Sequence, residues 1–239
     1  KLIINCDDLG LSEETNLGII DCLFSNKATS ASVIANSFFF DHALKNIKDK
    51  IPNNRFGLHL NLTEGISITN NCINHLTDEK YRFNNSPSSF FFKNFQRNKE
   101  IDDLIYLEFK AQIMKVLDSG LKISHFDSHE HIHHSPFVFN ILKRLGIEFN
   151  INKIRLVNEA WIPRIFFKNF TYKLFSKNYL KFFLLNYCKN KNYDNSFESP
   201  KYFYGILDSG KINIEHFFLY VSKIEDNSTI ELCMHPANK

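Results

Sequence analysis

The chain has 239 residues, 44% of them hydrophobic and 23% charged, an ordinary globular balance with enough apolar material for a sizeable core. A formal charge of +3 gives no electrostatic case for nucleic acid, and no zinc-finger, basic-zipper or RNP pattern occurs. The aromatic stretch from Ile162 to Tyr187 is broken repeatedly by lysines, so no membrane span is expected.

Leu2 to Cys6 reads as a short apolar strand. Ser12 then caps a helix with Glu13 and Glu14 in its first turn and Leu17, Ile20 and Phe24 on one face. Ser32 to Asn36 is the second strand, followed by a short helix from Asp41. Phe56 to Leu62 is the third, where Leu58, Leu60 and Leu62 alternate with Gly57, His59 and Asn61. After a polar insertion, roughly 69–99, a helix from about Glu100 to Ser119 stops at Gly120 and leads into a strand from Lys122 to His129. Ser135-Pro136 opens another helix, with proline at its first position. A strand at Ile154 to Val157, an aromatic and basic segment over 161–204, a helix near Ile214 to Val221 and a last strand at Thr229 to His235 complete the order.

This alternation predicts an α/β fold with a parallel sheet, doubly wound or closed into a barrel. The polar residues favour the barrel. Asp7 and Asp8 follow the first strand, His59 lies late in the third, Asp127 and His129 end another, and His235 ends the last. All are at carboxyl ends of strands, which in a barrel meet on one rim. A single domain spanning 1–239 is expected, with insertions near 69–99 and 161–204.

The stretch HFDSHEHIHHSP, from His125 to Pro136, has the composition of a metal site. If it continues a strand, His125, Asp127, His129, His131 and His133 share one face. The pair Asp7-Asp8 suits a site in which one carboxylate binds a cation and the other accepts a proton; capping of the next helix is the plainer alternative, although Ser12 is the better cap. His59 would ordinarily be a hydrogen-bonded core residue, but Gly57 on the same face permits close approach of a ligand, and Asn61 gains nothing from a dry core. Cys6, Cys22, Cys72, Cys188 and Cys233 are odd in number and form no CxxC pair, so they read as free thiols of a reducing, cytoplasmic compartment. The start of the chain carries no signal-peptide pattern.

Four segments in this order, NCDDLGLS, FGLHLNLTEG, HFDSHEHIHHSP and ELCMHPA, resemble the YdjC-like carbohydrate deacetylases. IRLVNE at Ile154 to Glu159 and YFYGILDSG at Tyr202 to Gly210 are similar to further family segments. The resemblance implies a distorted TIM-like barrel, one divalent metal ion and removal of acetyl groups from N-acetylated sugars. By position, its metal ligands fall on Asp8, His59 and His129, its catalytic base on Asp7, and the histidine of its HP motif, as acid, on His235. Asp127, His131, His133, Asn61 and Arg155 are expected around the site or the substrate. Magnesium or zinc is expected first, with manganese, cobalt or nickel also compatible with a His, His, Asp set. A homodimer is an expectation of the resemblance alone. The residues leave open a metal-barrel hydrolase of another amide, ester or phosphate, or a silent sugar- or metal-binding protein. The aromatic segment is open among packed surface helices, a lid, a dimer contact and a surface for a glycolipid head group.

Overall fold

In chain order the protein forms β1 (Leu2–Leu9), α1 (Glu13–Phe24), β2 (Ser30–Val33), α2 (Phe40–Ile47), β3 (Phe56–Leu60), α3 (Lys99–Asp118), β4 (Ile123–Ser128), α4 (Pro136–Phe149), α5 (Lys177–Asn192), β5 (Tyr202–Tyr204), α6 (Ile214–Val221) and β6 (Ile230–Met234). The structure, a computed structural model, describes residues 1–47, 50–70, 75–92, 98–159, 177–192, 196–210, 212–222, 225 and 227–237. Residues 160–176 and 193–195, part of the aromatic segment, lie outside the described residues.

All strand pairs are parallel, in the order β4, β3, β2, β1, β6, β5. The sheet curls into a half-barrel rather than the eightfold repeat of a full TIM barrel. Ile154 to Val157, expected to be a strand, and Lys153 before it instead take part in isolated bridges to the two edges. Arg155 N donates to Phe126 O of β4, while Ile154 N donates to Glu198 O and Phe203 N of β5 donates to Asn158 O. One irregular segment thus spans the gap that further strands would fill. β5 itself was not foreseen, because three residues are too short to show a period of two.

The outer face of the sheet is apolar and covered by helices. Ile105, Phe109, Ile113 and Val116 of α3 pack with Val138, Leu142 and Leu145 of α4 in one buried cluster. Burial of each such side chain contributes about 1.5–3 kcal/mol. Asn98 caps α3 through Ile101 N, and Pro136 occupies the first turn of α4. Ser12 caps α1 by accepting from Thr15 N, but the buried face of α1 is Asn16, Ile19, Ile20 and Leu23; Leu17 and Phe24 are exposed. The inward stripe was hidden by its polar member, since Asn16 is buried to accept Gly10 N through Oδ1. The insertion is not a detached polar loop: Leu76, Phe83 and Phe90 join the core, and buried Glu108 of α3 accepts from Ile68 N and Thr69 N.

The inner face of the sheet is polar. Asn5 and Asp7 of β1, Ser32 of β2, His59 of β3, Asp127 of β4, and Glu231 and Cys233 of β6 are all buried. Register brings them together, with His59 opposite Asp127 and Asn5 opposite Cys233. Gly57 makes room here, though not for a ligand: a Cβ would lie 2.4 Å from the His125 ring, which fills that space.

Candidate metal centre and active site

Strand alternation would send Asp7 and Asp8 to opposite faces. The chain avoids this by taking Asp8 into the left-handed region at φ 71°, within the irregular end of β1. Gly10 follows at φ 108°, and a Cβ there would meet Ile34 O at 2.7 Å. Both carboxylates consequently border one cavity of about 230 Å³, together with His59, His129, His131 and His235. Asn178 and Lys181 of α5 and the turn residues Gly205, Ile206 and Ser209 complete its wall. A larger cavity of about 370 Å³ opens at the amino ends of the strands, lined by Arg55, His125 and Lys153, and reaches Arg155 and Glu231 but neither Asp7 nor Asp8.

Asp8, His59 and His129 present one ligand atom each within a sphere of contact suited to a cation. Asp8 Oδ1 is 3.3 Å from His59 Nε2 and 3.1 Å from His129 Nδ1. Bonds of about 2.1 Å to a shared ion give ligand separations of about 3.0–3.4 Å, so these atoms are already spaced as edges of a coordination polyhedron. Each imidazole is oriented from its far side: His59 Nδ1 lies 2.8 Å from Asp127 Oδ1, and His129 Nε2 lies 3.1 Å from Glu64 Oε1. Burial alone would lower the His59 pKa, but Asp127, Asp8 and Asp7 hold it well above the ordinary value. Burial likewise opposes ionisation of Asp8, yet His129 and His59 hold its pKa far below the carboxylate range. The trio brings one carboxylate and two imidazoles to a single point, and its donors fit a divalent ion.

Behind the trio lies Arg155, completely buried. Its Nη1 donates to Asp7 Oδ2 at 2.6 Å and its Nη2 to Asp7 Oδ1 at 2.7 Å, a bidentate pair. Nη2 also lies 2.9 Å from Asp127 Oδ2, and Nε donates to Glu231 Oε1 at 2.7 Å. Burial would raise the Asp7 pKa, but the guanidinium keeps it well below the usual range, and Asp127 is lowered against burial in the same way. One cation does not satisfy three carboxylates, and burial pushes Glu231 up to about 7. Asn5 Nδ2 and Cys233 Sγ add donors to Asp7 at 2.8 and 3.1 Å, and Ser32 Oγ donates to Asp127 Oδ2 at 2.6 Å. His235, half exposed at the mouth, has Nε2 3.8 Å from Asp8 Oδ2.

A family profile described as YdjC-like protein matches residues 1–239. The chain belongs to the YdjC-like family. Relatives named carbohydrate deacetylase in Brevibacillus brevis and Halalkalibacterium halodurans are each 32% identical over 151 residues, 63% of this chain. The matches span 57% and 62% of those relatives' own lengths. A similarly named relative in Listeria monocytogenes is 32% identical over 152 residues, 64% of this chain and 59% of the relative. A crystal structure from Enterococcus faecalis, provisionally named a cellobiose-phosphate cleavage protein, shares the fold at a TM-score of 0.70 and 21% identity, over all of this chain and 81% of that one.

The geometry redistributes the histidine tract of this YdjC-like chain. β4 ends at Ser128, and residues 129–134 form a tight turn in which Glu130 and His131 are left-handed, at φ 55° and 58°. Alternation therefore ends before it reaches the last histidines. His129 is a member of the trio, and His131 borders the cavity against the Phe203 ring. His133 does not reach the site: its ring lies between Ser128 Oγ at 2.6 Å and Arg155 O at 2.9 Å. His134 Nε2 accepts from Val157 N at 3.0 Å. Burial lowers the pKa of both, and His134 falls to about 3, so they are neutral rings fastening the segment that carries Arg155. Asn61 also lies off the cavity, where its Oδ1 accepts from Thr63 N and Glu64 N and shapes the loop presenting Glu64. Glu64, Glu231 and Cys233 went unnoticed in the sequence. The signal for the last two was a polar alternation, Glu231, Cys233, His235, running through an otherwise apolar strand.

Proposed function

We propose that this protein is a metal-dependent deacetylase that hydrolyses the acetamido group of an N-acetylated sugar or oligosaccharide, such as N-acetylglucosamine units, releasing acetate. The observation that carries this reading is a second buried carboxylate, Asp7, beside the Asp8, His59 and His129 trio but outside it. A site built only to store a cation has no use for it. The names of the relatives supply the acetyl-sugar class.

A divalent ion, held by Asp8, His59 and His129, supplies Lewis acidity toward the amide carbonyl and acidifies water. Asp7 serves as the base that takes a proton from the attacking water. Arg155 keeps Asp7 ionised and fixed, at the cost of proton affinity, so the proton Asp7 accepts is soon passed on. His235 stands at the exposed mouth, where it delivers a proton to the departing nitrogen. The cavity is smaller than the roughly 300–1,000 Å³ of ordinary ligand pockets, so it takes the reacting end of the substrate. The remainder lies across the mouth, within reach of Lys181, Asn178 and Ser209.

The test is acetate release from N,N'-diacetylchitobiose and related N-acetylglucosamine compounds, using protein stripped with chelator and reloaded with single divalent metals. Release restored by metal and abolished in Asp7→Asn supports the proposal. Phosphate release without acetate from a substrate panel would move the reading to another hydrolase; tight metal binding with no turnover of any substrate would leave a binding protein.

A further inference from the structure

Three groupings of potential ligands occur among the described residues, and the trio above is one. A second, Asp7, His59 and Asp127, is already filled by a cation of the chain itself, because Arg155 Nη2 lies 2.7 Å from Asp7 Oδ1 and 2.9 Å from Asp127 Oδ2. The third is Asp7, Cys233 and His235, where Arg155 Nη1 lies 2.6 Å from Asp7 Oδ2.

Its geometry is that of a small soft-metal site. Cys233 Sγ lies 3.1 Å from Asp7 Oδ2 and 4.0 Å from His235 Nε2. A tetrahedral ion with a sulfur bond near 2.3 Å and nitrogen or oxygen bonds near 2.0–2.1 Å requires ligand separations of about 3.5 Å, midway between those values. Arg155 does not block the position. Asp7 Oδ2 accepts from both Arg155 Nη1 and the Cys233 thiol, and the lone pair facing the thiol is the one that turns to a metal once that proton leaves. Asp8 joins the two positions: Oδ1 faces His59 and His129, whereas Oδ2 faces His235 at 3.8 Å. A carboxylate with one oxygen toward each of two ligand clusters is the arrangement of paired-ion sites about 3.5–4 Å apart.

We infer that Asp7, Cys233 and His235 form a second metal position, selective for a thiophilic divalent ion such as zinc or cadmium and separate from the Asp8, His59 and His129 position. Binding breaks the S–H bond of Cys233, releases its proton to solvent and forms a metal–sulfur bond, with no change of oxidation state. Thiolate confers the selectivity, since magnesium and manganese prefer oxygen donors. In terms of the deacetylase reading, an ion here occupies both proton carriers, and excess zinc becomes an inhibitor.

The test is equilibrium metal binding to the whole chain under reducing, oxygen-free conditions, followed by cobalt titration with absorption spectroscopy. Wild type is expected to bind two zinc ions but one magnesium ion per chain, with a thiolate-to-cobalt charge-transfer band that grows with the second equivalent. Cys233→Ser should bind one zinc and lose the band, and His235→Gln should keep the thiol while weakening the second equivalent at least tenfold. Wild-type protein that shows no thiolate–cobalt band at two equivalents overturns the inference, even if Cys233→Ser fails to fold. A band that persists in Cys233→Ser, arising from another cysteine, overturns it equally. Two bound zinc ions and the band in a protein that deacetylates nothing would leave this site standing and refute only the activity.

Discussion

Replacing Arg155 with methionine would remove the only positive charge that the Asp7, Asp127 and Glu231 carboxylates share at hydrogen-bond distance among the described arginines and lysines. Methionine approximates the volume of the stem but leaves those carboxylates in a space from which water is almost excluded. Removing one partner of a buried ion pair costs about 3–5 kcal/mol, and two strongly ionised partners place this site at the upper end. For a chain of this length each kcal/mol moves the melting temperature by roughly 2–4 °C, so a fall on the order of 10–20 °C is expected at pH 8. The sign with pH is distinctive. In wild type the depressed pKa values of Asp7 and Asp127 contribute stability above their unfolded values, which is lost as pH falls through the folded ones. Without the guanidinium, burial raises those same pKa values, and the variant gains stability as pH falls and the carboxylates protonate. Calorimetric unfolding of both proteins at pH 5.5 and pH 8 should therefore show a smaller deficit at the lower pH. A deficit within about 1 kcal/mol of zero, or one equal at both values, would refute the account of Arg155 as the keystone of this charge cluster.

With magnesium as the ion, Asp7→Asn should retain metal and lose most turnover, whereas Asp8→Asn should lose the metal, as read by calorimetric titration beside an acetate assay; equal metal loss in both would contradict the division of roles. Asp127→Asn should weaken metal binding by about 10–100-fold, because it removes the acceptor that orients His59, and unchanged affinity in the same titration would contradict this. Gly57→Ala should destabilise the fold by about 1–3 kcal/mol in urea unfolding through collision with the His125 ring, and His125→Ala in the same chain should recover much of that loss. Glu159 accepts backbone N–H groups of Gly205, Ile206 and Leu207, but burial prevails and pushes its pKa up to about 7. A raised carboxylate binds its proton more tightly when folded, so its contribution is full below the unfolded pKa near 4.5 and declines as pH rises to about 7. That decline amounts to about 3 kcal/mol, and Glu159→Gln should flatten it in denaturant titrations across that range.

The βα order and the helix ends marked by Ser12, Gly120 and Pro136 could be read from the sequence because they are local, set within a few residues of their own positions. That Asp8, His59 and His129 converge was legible as well, because each lies at or near a strand's carboxyl end. What escaped was set by contacts distant in sequence or by departures from regular backbone. The left-handed residues Glu130 and His131 end the alternation that would have carried His133 to the site, and nothing in the composition of the tract marks that break. Glu64 and Glu231 look like ordinary surface acids until the structure places them against His129 and Arg155.

The route by which Arg155 reaches its partners bears on how the chain can assemble. It stands 148 residues after Asp7 and 76 before Glu231, and its segment stitches β4 to the stretch before β5. Early strands thus leave the ribosome carrying acids that cannot be enclosed without penalty until residue 155 arrives, and the final edge cannot close around Glu231 until β6 follows. Such distant dependencies make for slow folding. They also mean that a chain interrupted before this arginine would lack more than a piece of the polar rim; it would hold charges that resist collapse, so that completion of the rim and completion of the fold become a single event.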